Sequence, residues 1–278
     1  DILDRYVAGE DVPITEEQQV WRNAMPTFAV ALYPFYKRLI AMVREINQAL
    51  PINDRLRVLA GDPPLDWSQI QTTEDVFNSI LFVPDARDVH YARVVREEVL
   101  NKGRKALLIM GQGHMGRNRA FGQDLTERID LNSDKILIVF PYVGLGTFYT
   151  SLTPAFQVWS KPSVAYIRNT WIGTLDAQIV VTGDGNAFFD AEGNPIFLYE
   201  NKNLEDVFDA FLYLGSPSTL TYASPDDVKL DTAYQAELAR RIGLLPSAFG
   251  GGDDDHSGPD NGSGPPPDVI LGGDLLSH

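Results

Sequence analysis

The chain contains no cysteine. Disulfides, thiolate metal sites, iron–sulfur clusters and a cysteine nucleophile are thereby excluded. Histidine is nearly as scarce, with only four residues, and two of them, His256 and His278, fall near the C-terminal end. Positive charge is short as well: 23 Lys and Arg stand against 38 Asp and Glu, for a net charge of −15. Such a surface argues against nonspecific nucleic-acid binding and against electrostatic docking on anionic lipid. No apolar run approaches the roughly 18 residues of a membrane span, so no membrane insertion is expected. The first residue is Asp1, with no initiator methionine and no signal peptide ahead of it. A processed or truncated N terminus is inferred. The expected location is secreted or periplasmic if a signal peptide has been removed, and cytoplasmic otherwise.

What remains is the composition of a globular protein. The 278 residues are 44% hydrophobic and 22% charged, enough to bury a sizeable core. One α/β domain is expected over residues 1–246, with a mainly parallel sheet and helices on both faces. From Ser247 the chain turns rich in Gly, Pro and Asp, the composition of a flexible acidic tail over 247–278.

Helical periodicity marks residues 2–8, a segment opening near Thr15 and Gln18, Tyr33–Leu50, Thr72–Ile80, Pro84–Asn101 and Leu230–Ile242. In Tyr33–Leu50 the residues Phe35, Leu39, Met42, Val43, Ile46 and Leu50 form one stripe, which reads as a core face. In Pro84–Asn101 the shared face is Val89, Ala92, Val95 and Val99. Apolar runs at Arg55–Ala60, Ala106–Met110, Lys135–Phe140, Ser163–Arg168 and Asp209–Leu214 read as strands, and residues 176–200 as short strands with tight turns.

The organising stretch is Lys105–Arg117, KALLIMGQGHMGR. An apolar run breaks into Gly111, Gln112, Gly113 and His114, the way open α/β sheets present functional groups beyond the carboxyl ends of their strands. Glycine permits close approach of backbone to a ligand, so Gly111, Gln112 and Gly113 are candidate ligand-binding residues. His114 is the candidate catalytic base, since imidazole titrates near neutrality. Asp62 and Asp66 follow the Arg55–Ala60 run and are candidates to orient water or hold a cation, or simply to form turns. Arg87 is placed to clamp a carboxylate or stabilise an oxyanion, and Tyr142 to line the site. A metal, if present, would fall to His114 and Asp62. The glycines do not make a dinucleotide fingerprint, and neither a P-loop nor a G-x-S-x-G elbow is found.

Arg87-Asp88 in a helix, then a strand ending in Gly111-Gln112-Gly113-His114, resembles the erythromycin esterase-like, ChaN-like and TraB/Tiki superfamily. The stretches Trp171–Gln178 and Asp209–Gly215 are similar to its bacterial esterase-like branch. The resemblance implies a parallel α/β sheet, with His114 and Arg87 matching family positions and Asp62 falling where members carry a polar residue. Activities in the family include macrolide lactone hydrolysis, metal-dependent peptide hydrolysis and haem binding. Its first motif, a Gly-Glu-x-x-His turn, is not found in this chain. Three readings follow. One is a hydrolase of an ester, lactone or amide acting on a small-molecule or peptide substrate. The second is a protein that binds haem or a divalent metal. The third is a non-catalytic interaction protein, with homo-oligomer formation open to all three.

Overall fold

A computed structural model describes residues 2–22, 26–80, 86–118, 125–129, 135–142, 152, 154–182, 188–189, 195–215 and 231–245. The expected tail over 247–278 lies outside the described residues. In chain order the helices are α1 Ile2–Ala8, α2 Ile14–Arg22, α3 Pro26–Ala49, α4 Thr73–Phe77, α5 Ala86–Glu98, α6 Gln112–Met115 and α7 Leu125–Ile129. Then come β1 Val139–Tyr142, β2 Ser163–Tyr166, α8 Ala177–Thr182, β3 Phe188–Phe189 and β4 Pro195–Ile196. The last elements are α9 Leu204–Val207, β5 Ala210–Tyr213 and α10 Thr232–Leu244. The chain divides into two compact units: Asp1–Val83 with Tyr222–Pro265, and Pro84–Thr221 with Pro266–His278.

The first unit is helical. Gly9, at φ +107°, ends α1 in a conformation side chains avoid. Arg44 on α3 then caps that end, donating to the carbonyls of Tyr6 at 2.7 Å and Gly9 at 3.0 Å. Asn47, buried one turn further on, donates to Val7 O and Leu56 O at 2.9 Å and accepts from Leu56 N at 2.8 Å. The Arg55–Ala60 run is therefore no strand. It is an extended segment whose backbone bonds to a side chain on α3.

The stripe on α3 is the expected core face only at Val43, with Leu39 and Leu50 half-buried. Val43 and Asn47 are buried, whereas Phe35, Met42 and Ile46 are 51%, 50% and 40% exposed. The bonds of Arg44 and Asn47 set the roll of the helix and leave the stripe outside. Thr72 begins α4 with a reciprocal capping box: its side chain accepts from Asp75 N at 3.1 Å, and Asp75 accepts from Thr72 N at 2.8 Å.

On α10, Glu237 accepts from Arg240 and Arg241, each at 2.7 Å. These bonds, Arg240 first, hold its carboxyl down at about 2. Arg240 also donates to Ile70 O at 2.7 Å and Trp67 O at 3.1 Å, and Arg241 stacks 4.7 Å over the Trp67 ring. A carboxyl whose folded pKa is depressed stabilises the fold above its unfolded pKa, and that stability is lost as pH falls through the folded value. Between pH ~4.5 and ~2 this pair of contacts is expected to lose about 1 kcal/mol, a figure discounted because the carboxylate is a third exposed. Urea titrations of the protein and of Glu237→Gln across that window check it: the variant should show the smaller acid-dependent fall, and parallel curves would remove Glu237 from the account.

The second unit holds a three-stranded sheet in the order β1-β5-β2. β1 runs parallel to β5, with Phe140 opposite Phe211, and β2 runs antiparallel to it, with Ala165 opposite Phe211. The described residues thus form an α/β protein with a small mixed sheet, not a mainly parallel sheet with helices on both faces. One face of the sheet, with Phe140, Tyr142, Phe211 and Tyr213, is buried among Phe156, Ile167, Leu204 and Val207. On the other face Val139, Val164 and Tyr166 are exposed. That one-sidedness is allowed to a sheet with antiparallel pairing, because it needs no helical crossover on its second face.

Strand expectations hold in shifted form at β1, β2 and β5, and within 176–200 at the antiparallel pair β3–β4. Ala106–Met110 does not. It has no regular structure and pairs with no strand among the described residues, with Leu107 83% exposed while Leu108 and Met110 pack against the cluster of Tyr91, Val95 and Leu125. Ile179–Thr182 is helical, because Asp176 caps the turn by accepting from Ile179 N at 2.9 Å.

Candidate functional site

The site grows from the first turn of α5. A residue at the start of a helix and the residues four and seven further on share one face. Here those positions are Asp88, Ala92 and Val95, all buried. Of the expected face, Ala92, Val95 and Val99 are buried, while Val89 is exposed and Asp88 takes its place. An aspartate is driven into an apolar stripe, and burial without a partner would be costly. The partner is His114: its Nδ1 lies 2.5 Å from Asp88 Oδ1, with Asp88 fully buried and the imidazole largely so.

His114 reaches Asp88 because the glycine stretch folds as one helical turn, α6, closed by a bond from His114 N to Gly111 O at 3.0 Å. Tyr91, one helical turn beyond Asp88, meets the imidazole edge to face at 5.4 Å between centroids. Arg87 lies over the same tyrosine, its Cζ 5.8 Å from the ring centroid. Two sequence candidates, Arg87 and His114, are therefore gathered around Tyr91 and Asp88. Asp88 was legible as the one acid on an otherwise apolar helical face.

The turn is anchored on its C-terminal side by Arg117. Arg117 N donates to Val207 O at 3.2 Å, and its guanidinium bonds both oxygens of Asp209, at 2.8 and 2.9 Å. Asp209 in turn accepts from Ile138 N at 2.7 Å. The segment carrying His114 is thus tied to the entries of β1 and β5. The glycines differ in role. A Cβ on Gly111 would meet only His114 Cδ2 at 3.5 Å, an ordinary contact, whereas one on Gly116 would lie 1.9 Å from Tyr199 Oη.

The other sequence candidates are Tyr142, Asp62 and Asp66. Tyr142 is fully buried in the core, its ring 5.2 Å from Phe156 and 5.4 Å from Phe211. Asp62 and Asp66 belong to the first unit. Asp66 caps the short turn Trp67–Gln69, accepting from Ser68 N at 3.0 Å and Ser68 Oγ at 2.6 Å. The Ser68 hydroxyl bond, then the backbone bond, hold its carboxyl below the usual aspartate range. Asp62 is exposed, and its charge acts with burial, the larger cause, to push the Tyr36 hydroxyl pKa up. Among the described residues no three His, Asp or Glu side chains are gathered as a metal-binding group. No helix among them is long and apolar enough to cross a membrane.

A buried carboxylate–imidazole pair, beside an aromatic ring and a guanidinium, on an α/β scaffold defines the site. No protein-family model, curated protein or solved structure matches the chain.

Proposed function

We propose that the chain is a hydrolase of an ester, lactone or amide, with His114 as general base toward water. The observation that carries this is the contact between His114 Nδ1 and the fully buried Asp88. An ionised carboxylate only accepts hydrogen bonds, so the ring nitrogen facing it carries the proton and Nε2 is left with its lone pair. Nε2 takes a proton from water as the oxygen attacks the substrate carbonyl, and the imidazolium then protonates the leaving group. Asp88 holds the ring in that orientation. Arg87 supplies the positive charge that a developing oxyanion requires. The likeness of the Arg87-Asp88 and Gly111–His114 elements to the erythromycin esterase-like group points the same way.

The same contact also favours a second reading, with a divalent cation on Nε2, because a carboxylate bonded to the far nitrogen is the usual support of a metal-bound histidine. One experiment separates them: hydrolysis of a panel of aryl esters, lactones and peptides, with and without Mn²⁺, by the protein and by His114→Ala. Turnover without added metal that falls by about 10²–10⁴-fold in the variant supports the base. Turnover that needs Mn²⁺ and is lost in the variant supports the cation. Turnover unchanged in His114→Ala, or absent from the native protein under both conditions, overturns the proposal.

A further inference from the structure

The apolar stripe left outside on α3 has a specific pattern. Phe35, Leu39, Met42, Ile46 and Ala49 follow one another in alternating steps of four and three residues, which is the a/d seam of a coiled coil. Phe35, Met42 and Ile46 are exposed, Leu39 is half-buried and Ala49 exposed. The seam lies about a quarter turn from the face that α3 buries through Val43 and Asn47. The helix cannot roll to bury both, because Arg44 and Asn47 bond the backbone of α1 and of Leu56. The stripe is thus available to a partner while the fold of its own unit stays intact.

We infer that this seam pairs with the same seam of a second copy, antiparallel, to form a homodimer. A two-fold pairing is self-complementary. It sets Phe35 against Ile46 of the second copy and Leu39 against Met42 of the second copy, so every layer joins an a position to a d position. Arg38 and Glu45, both exposed, occupy the open flank of the seam. The antiparallel arrangement brings Arg38 of one copy toward Glu45 of the other, twice by symmetry. A parallel arrangement would instead set them near Val43 and Leu50, which carry no charge. Charge complementarity therefore selects both the partner and its direction. Four layers of one helix are smaller than the roughly 800 Å² per partner of a standard stable interface, so the dimer is expected to be concentration-dependent in the micromolar range.

Sedimentation of the full chain over a concentration series is the test, with far-UV circular dichroism to confirm folding. The native chain should pass from monomer to dimer. Met42→Glu should weaken association about a hundredfold, because it buries an unpaired charge in a central layer. Arg38→Glu should weaken it about tenfold, and Glu45→Arg added in the same chain should restore it. The absence of cysteine makes a direct test of direction simple. A mixture of Leu39→Cys and Met42→Cys proteins should oxidise to the mixed disulfide, and neither protein to its own. Self-crosslinking of Met42→Cys alone would indicate a parallel seam and overturn the pairing. So would a chain that stays monomeric throughout, whose stripe is then covered within the chain or by a foreign protein, or a dimer indifferent to Met42→Glu.

Discussion

Replacing Asp88 by asparagine is expected to lower turnover by about 10³–10⁴-fold while leaving the protein folded. The amide is nearly the same shape as the carboxylate, so the helix and its apolar face are undisturbed. What changes is the proton. An amide NH₂ turned toward His114 Nδ1 favours the tautomer with hydrogen on Nε2, and that nitrogen no longer accepts from water. A readout that does not require knowing the substrate is the ¹⁵N spectrum of His114. The native protein should show the Nδ1–H form, held by the 2.5 Å contact, and Asp88→Asn a mixture shifted toward Nε2–H. Asp88→Ala should behave differently again. It removes the carboxylate that faces the ring nitrogen and leaves a void at a fully buried position, so a loss of about 3 kcal/mol in urea unfolding is expected beside the loss of activity. Identical ¹⁵N signatures in the native protein and Asp88→Asn would remove Asp88 from any role in setting the imidazole, whatever the reaction.

Gly116→Ala is expected to destabilise the second unit by about 3 kcal/mol. The added carbon would sit 1.9 Å from Tyr199 Oη, 2.6 Å from Tyr199 Cζ and 2.8 Å from Val207 Cγ1. Tyr199 and Val207 are both fully buried, so neither side chain can swing into solvent to relieve the overlap. The turn that carries His114 would have to move away from α9 instead, stretching the bond from Arg117 N to Val207 O. Gly111→Ala meets only an ordinary contact and should change stability little. Equilibrium unfolding of the two variants checks the contrast. Equal stabilities would mean that the Gly116–Tyr199 packing is not tight in solution. The two glycines look alike in the sequence, and only the packing of α9 separates them.

Much of the helical framework was readable because each helix writes its own signals within a few residues. The spacing over residues 2–8 announced α1, and that over Thr72–Ile80 announced α4. The strands β2 and β5 were readable from apolar runs, but Arg55–Ala60 and Ala106–Met110 carry the same kind of run and pair with no strand among the described residues. A short apolar run records only that one side is to be buried. Whether its backbone bonds a neighbouring strand, a side chain such as Asn47, or neither, depends on what distant segments bring alongside. The stripe on α3 carries the same lesson: its apolar character is visible in the sequence, yet Arg44 and Asn47 decide that it faces outward.

The sequence by itself determined the residue types that make chemistry possible: no thiol, few histidines, a marked acidic excess, and one imidazole set among glycines beyond an apolar run. It also placed Ala92, Val95 and Val99 on one buried face, since helical periodicity is a local property. Tertiary structure alone decided that His114 meets Asp88. It likewise decided that Tyr142 belongs to the core and that the sheet is small and mixed. The reason is that hydrogen-bond partners and burial are set by which segments meet, and a pair separated by 26 residues is joined by packing that neither segment encodes alone.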